Sequence, residues 1–245
     1  MAAFAPEVLF HIGSFPITNT VLNTLLVDAG LIGGAYYIKK NIQKVPRLFQ
    51  NIVEMVIQSF YDITETISGR NAVKIFPYFM SFFLFILLAN WSNLIPGIGT
   101  FGFLEQGEHG ETEIIPFLRG TTSDANTTFA LAFFSLVATH ILAIRAVGIG
   151  EYLSRYFSLN PIMLFVGILE IVSEVTKVVS LSFRLFGNIF AGEVVLHTVS
   201  SLFAFLVPIP FMLLEIIVGL VQALVFAMLT MVFMSILMTP HSSEH

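Results

Sequence analysis

The sequence predicts an all-α integral membrane protein. It has about five membrane helices, the last two long and strongly tilted, plus one interfacial amphipathic helix. Three observations carry this. Of 245 residues, 56% are hydrophobic and only 11% charged, where a soluble domain carries about a quarter charged residues. Several apolar runs approach or exceed the roughly 20 residues needed to cross a bilayer core. One stretch, from Ile162 to about His197, continues without a proline or a turn cluster well past that length. The chain reads as a single membrane domain, 1–245.

The same composition excludes several classes. A net charge of −5, with pI near 5.6 and mean hydropathy +0.87, argues against a nucleic-acid partner. With no cysteine there is no disulfide framework, thiolate nucleophile or cysteine-held metal. No cofactor or metal site is expected. The N-terminus MAAFAPEVLFHIGSFP lacks the basic region and clean apolar core of a signal peptide. It reads as a short tail at the membrane surface, so the first hydrophobic segment is expected to stay in the mature protein.

The first span covers 21–38 and closes on Lys39 and Lys40, with Tyr36 and Tyr37 suited to an interfacial belt. Asn23 and Asp28 lie inside it, and Asp28 is expected to face protein or the polar boundary rather than to carry ions. Gly30 and Gly34 form a weak small-xxx-small pair. Pro46 then opens an amphipathic helix over 46–69. Phe49, Ile52, Val53, Val56, Ile57, Phe60, Ile63 and Ile67 share one side; Gln50, Asn51, Glu54, Gln58, Asp62 and Glu65 share the other. That face is too polar to span, so the helix is expected along the membrane surface, with Gly69 as its stop.

The second span, 73–95, contains FPYFMSFFLFILLAN and ends at the interfacial Trp91 and Asn93. A polar stretch over 97–124 follows, with Glu105, Glu108, Glu111, Glu113 and Asp124 against one basic residue, Arg119. It reads as an external acidic loop. The third span is 126–146, capped by Asp124 or by Thr121–Ser123. A connector with Glu151, Arg155 and the breaker Asn160-Pro161 leads into a hairpin of two apolar stretches, 162–204 and 211–238, turning at Pro208 and Pro210. Basic residues cluster at Lys39, Lys40, Lys44, Arg47, Arg70 and Lys74, and again at Arg145 and Arg155. The positive-inside bias therefore puts the N-terminus outside, these connectors inside, the acidic loop outside and the C-terminus inside.

As one helix, Ile162 to His197 would be about 54 Å long, nearly twice a roughly 30 Å hydrocarbon core. Either it is two short spans with a tight turn, or it is one helix far from the membrane normal. Ordinary tilt of about 20° does not absorb the excess, and Gly187-Asn188 is a weak break, so a steeply tilted helix is favoured. At about 100° per residue, Glu170, Ser173, Lys177, Ser180, Arg184, Asn188 and Ala191 fall within about 40° of one line. Glu193 lies about 180° from Arg184, with His197 one turn further on that second face. In the final stretch, Glu215 and Gln222 lie about 20° apart with Gly219 between them. An antiparallel hairpin closing at Pro208 brings Glu193, His197 and Glu215 to similar depths.

Arg184 is the residue without an ordinary explanation, because a permanently charged guanidinium inside an apolar stretch marks a functional site. Two polar tracks suit two hydrated routes approaching one charge from opposite sides. Other polar residues have plainer readings. His140 reads as a packed or hydrogen-bonded histidine, Gln222 as a helix–helix contact, and Lys177 with Glu174 as a neutralising i, i+3 pair. A stand-alone ion-coupled secondary transporter with its site at Arg184 is the competing reading, although the chain shows neither internal repeats nor paired broken helices. An intramembrane enzyme would need a nucleophile–base pair or an HExxH motif, and neither occurs.

The stretches SLSFRLFGNIFAGE, ILEIVSEVTKVVS, LEIIVGLVQALVFAMLTMVFMS, ANWSNLIPG and SDANTT together resemble subunit a of the rotary F-type ATP synthases, from about Ala72 to the C-terminus. The resemblance implies a proton-translocating stator subunit, without catalysis of its own. It would lie against a ring of c subunits, each bearing a mid-membrane carboxylate, with peripheral-stalk b subunits as further partners. The setting would be the lipid bilayer of an energy-transducing membrane such as the bacterial inner membrane. By position, Arg184 matches the family's essential arginine. Asn188, Glu193, Glu215 and Gln222 match the side leading from an outer half-channel, and Glu170 and Lys177 match positions toward an inner one. Many relatives carry a histidine at one of the Glu193 and Glu215 positions; with carboxylates at both, His197 is the candidate to supply the imidazole. No GxxxxGK[ST] loop occurs, so ATP chemistry is expected on other subunits.

Overall fold

Helices form wherever the apolar pattern runs long enough, and two small hairpins occupy stretches where no regular structure is expected. The computed structural model describes residues 7–95, 101–106, 112–157, 161–202 and 207–239. Strands β1 (Val8–Ile12) and β2 (Phe15–Thr18) pair antiparallel across Gly13, whose φ of 63° suits the turn. The helices are α1 (Asn19–Lys40), α2 (Leu48–Ser68), α3 (Ala72–Ser92), α4 (Ala125–Val147), α5 (Ile149–Tyr156), α6 (Pro161–Leu202) and α7 (Pro208–Leu237). Between α3 and α4, β3 (Gly102–Gln106) and β4 (Thr112–Pro116) make a second antiparallel hairpin.

Four helical stretches are long and apolar enough to cross a membrane among the described residues. They are Asn19–Lys40, the stretch Leu48–Ser92 through α2 and α3, Ala125–Val147 and Pro208–Leu237. The expected fifth, α6, is the longest helix at 42 residues but is not in that set. It carries five charged residues spread along its length, Glu170, Glu174, Lys177, Arg184 and Glu193. It is one uninterrupted helix through Gly187-Asn188.

Several local expectations change. The N-terminal tail is a hairpin from Val8 onward, tied to α1 by the Asn19 amide donating to the Glu7 carbonyl at 3.1 Å. Residues 97–124 are not simply a loop, since β3, β4 and a 3-10 turn at Thr121–Ser123 lie within them; 96–100 and 107–111 lie outside the described residues. Pro46 precedes α2, whose N-cap is Arg47. The connector after α4 is the short helix α5. Pro208 and Pro210 sit in the first turn of α7 rather than in the bend, because the first helical amides have no intrahelical partner and proline loses nothing there. The tail 240–245 and Ala204, the predicted end of the first hairpin arm, lie outside the described residues. Gly30 and Gly34 have nothing within 4 Å of where a side chain would start, so they mark no close contact within this chain.

The described residues pack as two units. The first is drawn from Met1–Asn41, Leu84–Thr128 and Leu185–Ala223. Polar contacts hold it together. Buried Asn23 of α1 reaches the Arg119 carbonyl at 2.9 Å, Ser92 Oγ at 3.0 Å and Thr121 Oγ1 at 3.2 Å. Asp124 caps α4 by accepting from the Asn126 amide at 2.9 Å, and Thr20 donates to its other oxygen at 3.4 Å. Without these partners each buried polar group would cost about 1–3 kcal/mol.

The second unit is drawn from Ile42–Phe83, Phe129–Arg184 and Leu224–His245. Its core is aromatic and sulfur-rich. Phe60 of α2 packs on Phe79 and Phe83 with ring centroids 5.6 and 4.8 Å apart, and Phe82 packs on Phe134 and Phe226. Met231 and Met234 are fully buried. A buried Ser135–Thr230 hydroxyl pair at 2.9 Å links α4 to α7. The polar side of α2 is stitched by Gln50–Glu54 and Gln58–Asp62, both at 2.7 Å. Phe49, Ile52, Met55 and Ile63 on that helix stay exposed, as suits a helix lying against lipid.

Candidate functional site

The eight predicted site residues fall into two groups, one in each unit. In the second unit the helical spacing of α6 puts Ser173, Lys177, Ser180 and Arg184 on one face. That face opens onto a cavity of about 400 Å³, closed on the α7 side by Leu229 and Phe233. Arg184 is exposed. Its Nη2 donates to Ser180 Oγ at 3.4 Å, and among the described residues it makes no ion pair. Lys177 does: its Nζ lies 2.7 Å from Glu174 Oε1 and 4.7 Å from the centre of the Phe233 ring.

Glu170 is not among the residues lining this cavity. Arg155 of α5 donates through Nε to Glu170 Oε1 at 2.5 Å. Arg155 was seen in the sequence only as a charge in a connector. Close packing holds α5 against α6 at this level, since a Cβ on Gly167 would overlap the Tyr156 carbonyl. Burial pushes the Tyr156 and Tyr152 hydroxyls above the ordinary phenol range, so both stay protonated near neutral pH.

In the first unit the hairpin of α6 and α7 brings the two carboxylates together. Glu215 is buried, with its carboxylate filling the space beside Gly192 where a side chain would begin. Glu193 directly follows Gly192 on α6, at the turn against which Glu215 packs. Glu193 is half-buried, and its Oε2 is enclosed without a hydrogen-bond partner. Asn188 and His197 are exposed on α6, and Gln222 is half-buried on α7.

What fixes α7 here is Asn90 of α3, which the sequence did not single out. Its Nδ2 donates to the Gly219 carbonyl at 2.9 Å and its Oδ1 accepts from Thr122 at 2.6 Å. Trp91 adds Nε1 to the Ile216 carbonyl at 3.2 Å. Gly219 has no side chain to hold the helices apart: a Cβ there would lie 3.1 Å from Asn90 Cβ. A buried asparagine inside an apolar span was the available signal.

The close fit at Gly192 yields a prediction. Gly192→Ala should push the Glu215 carboxylate out of its seat without unfolding the hairpin, because the clash falls on the end of a flexible side chain. If Glu215 serves the proton path that the sequence resemblance implies, the expected result is normal complex yield with proton flux reduced several-fold. Unchanged flux would show that the seat of Glu215 is immaterial.

A family model described as "ATP synthase A chain" matches residues 20–235, which includes both groups. The chain belongs to the ATP synthase A chain family. Over 235 residues, covering 96% of this chain and 97% of the other, it is 32% identical to the ATP synthase subunit a of Moorella thermoacetica. As a member of the ATP synthase A chain family it is a multi-pass membrane protein, and proton transport is the function the family implies.

Proposed function

We propose that this chain is the proton-conducting stator subunit of a rotary F-type ATP synthase. It provides two offset half-channels to and from the carboxylates of a rotating c-ring, and Arg184 prevents a short circuit between them. The observation that carries this reading is Arg184 itself: exposed, lining the cavity, with no carboxylate among the described residues to pair with. A guanidinium on an apolar helix needs a counter-charge, and a ring carboxylate supplies one in turn to each passing subunit.

Protons enter from outside past Glu193, Glu215, Asn188 and Gln222, with His197 on the same side, and neutralise a ring carboxylate so that it can face lipid. A carboxylate returning from the ring's other side loses its proton to the inner route along the Lys177 face, with Glu170 and its partner Arg155 beyond. The bare carboxylate is then drawn to Arg184, whose fixed charge bars direct proton passage. Each charge moved across the membrane is worth about 2.3 kcal/mol per 100 mV, and this is the source of torque. The steep tilt of α6 and α7 lays them along the ring. The N-terminus faces outside and the C-terminus inside, in an energy-transducing membrane such as the bacterial inner membrane, with peripheral-stalk b subunits holding the chain still. ATP chemistry resides on other subunits.

Mild-detergent extraction followed by mass spectrometry tests the assignment. The chain should come out with ring and peripheral-stalk subunits. Recovery alone, with full transport activity after reconstitution, would instead favour a stand-alone transporter.

A further inference from the structure

Glu174 and His140 lie outside the eight predicted residues, yet they sit behind the cavity within the second unit. Lys177 lines the cavity and holds Glu174 Oε1 at 2.7 Å. Glu174 is only 6% exposed; its Oε2 is enclosed, has no hydrogen-bond partner, and points toward His140 Nε2 at 3.9 Å. His140 Nδ1 lies 2.8 Å from the Tyr152 hydroxyl. Three helices, α6, α4 and α5, therefore place a carboxylate, an imidazole and a phenol in sequence behind the cavity. A pair serving only to neutralise Lys177 would not need the second carboxylate oxygen aimed at an imidazole whose ring a phenol holds in place.

We propose that Glu174 and His140 form a proton relay between the Arg184 cavity and the inner solution, with Tyr152 as the residue that positions the imidazole. The relay rests on the function proposed above. In the tautomer the relay uses, the Tyr152 oxygen accepts from Nδ1–H, which leaves the Nε2 lone pair facing Glu174. A proton from the cavity converts the Glu174 carboxylate to the acid. The acid passes the proton to Nε2, directly or through one water, restoring the carboxylate and making an imidazolium. The imidazolium releases the Nε2 proton to the inner solution and returns to its starting tautomer, so one proton enters and one leaves. Glu174 and Lys177 of α6 and Tyr152 of α5 are the titratable groups facing His140; Glu170, Arg155 and Tyr156 surround Tyr152.

The test uses the complete complex in sealed vesicles, with proton flux driven by a potassium diffusion potential and the pH on the inner-face side varied. Wild-type flux should fall on the acidic side within the histidine range, roughly pH 5–8, as the imidazolium fails to unload. His140→Gln should lower flux about tenfold, less than a sole proton-transfer group would contribute because water provides a bypass, and should remove that acidic limb. His140→Ala should regain flux when imidazole is added to the medium. Tyr152→Phe should displace the pH profile, and it decides the matter where histidine variants assemble poorly. Wild-type flux and profile in His140→Gln would overturn the relay, as would reduced flux with an unchanged profile and no imidazole rescue. An unchanged profile in Tyr152→Phe alone, where it must decide, would do the same. Arg184→Ala in the same assay separates the two proposals. If it loses coupling while His140→Gln behaves as wild type, only the relay falls; if both keep full coupling, the stator mechanism falls with it.

Discussion

Arg184→Ala is expected to abolish ATP-driven acidification in reconstituted vesicles while leaving ATP hydrolysis by the assembled complex measurable. The argument is electrostatic. A guanidinium and a carboxylate about 4 Å apart attract by about 4 kcal/mol at an effective dielectric near 20, or about three orders of magnitude in the population of the charged encounter. No other cation is offered at that point of α6. Lys177 lies seven residues before it, about 10 Å along the helix axis, and is already held by Glu174. On the proposed mechanism, without Arg184 a returning carboxylate has no reason to stay ionised, and nothing bars a proton from crossing between the two routes. Because the side chain is exposed and, among the described residues, is hydrogen-bonded to Ser180 alone, its removal should not cost the fold. Retained pumping would therefore sink the mechanism rather than be excused by misfolding.

The second large effect is expected from the paired carboxylates. Glu193→Gln or Glu215→Gln alone should slow proton uptake from outside by about tenfold, and the double variant by about a hundredfold or more. Glutamine keeps the shape and the hydrogen-bonding capacity of each side chain, so the seat beside Gly192 stays filled and only the exchangeable proton is lost. The geometry makes the pair redundant in part. On the proposed path the two groups belong to one turn of the hairpin, and each offers a proton-binding site when the other is blocked. An unchanged rate with both replaced would remove them from the path.

The two groups differ in how far they could be read from the chain. Along α6, helical periodicity alone placed Ser173, Lys177, Ser180 and Arg184 on one face and Glu193 with His197 on another, and the structure builds α6 as one helix of 42 residues. Hairpin arithmetic from Pro208 put Glu193 and Glu215 at one depth, and Glu215 does meet Gly192. What the sequence left open were contacts between elements whose rotation it does not specify. Glu170, on the same face as Lys177, turned out to be taken by Arg155. His140, read as a packed or hydrogen-bonded histidine, is hydrogen-bonded to Tyr152, and it also faces Glu174.

The sequence by itself determined the membrane class, the helical segments, the over-long α6 and the solitary charge at Arg184. Those features follow from composition and from a period of about 3.6 residues, which every residue of a helix obeys regardless of its neighbours. The tertiary structure alone decided the carboxylate seat beside Gly192, the asparagine bracket at Gly219, the Arg155–Glu170 pair and the line from Lys177 through Glu174 to His140. Each of these depends on which faces of separate helices meet, and that is set by packing volume and by glycine at the closest approaches.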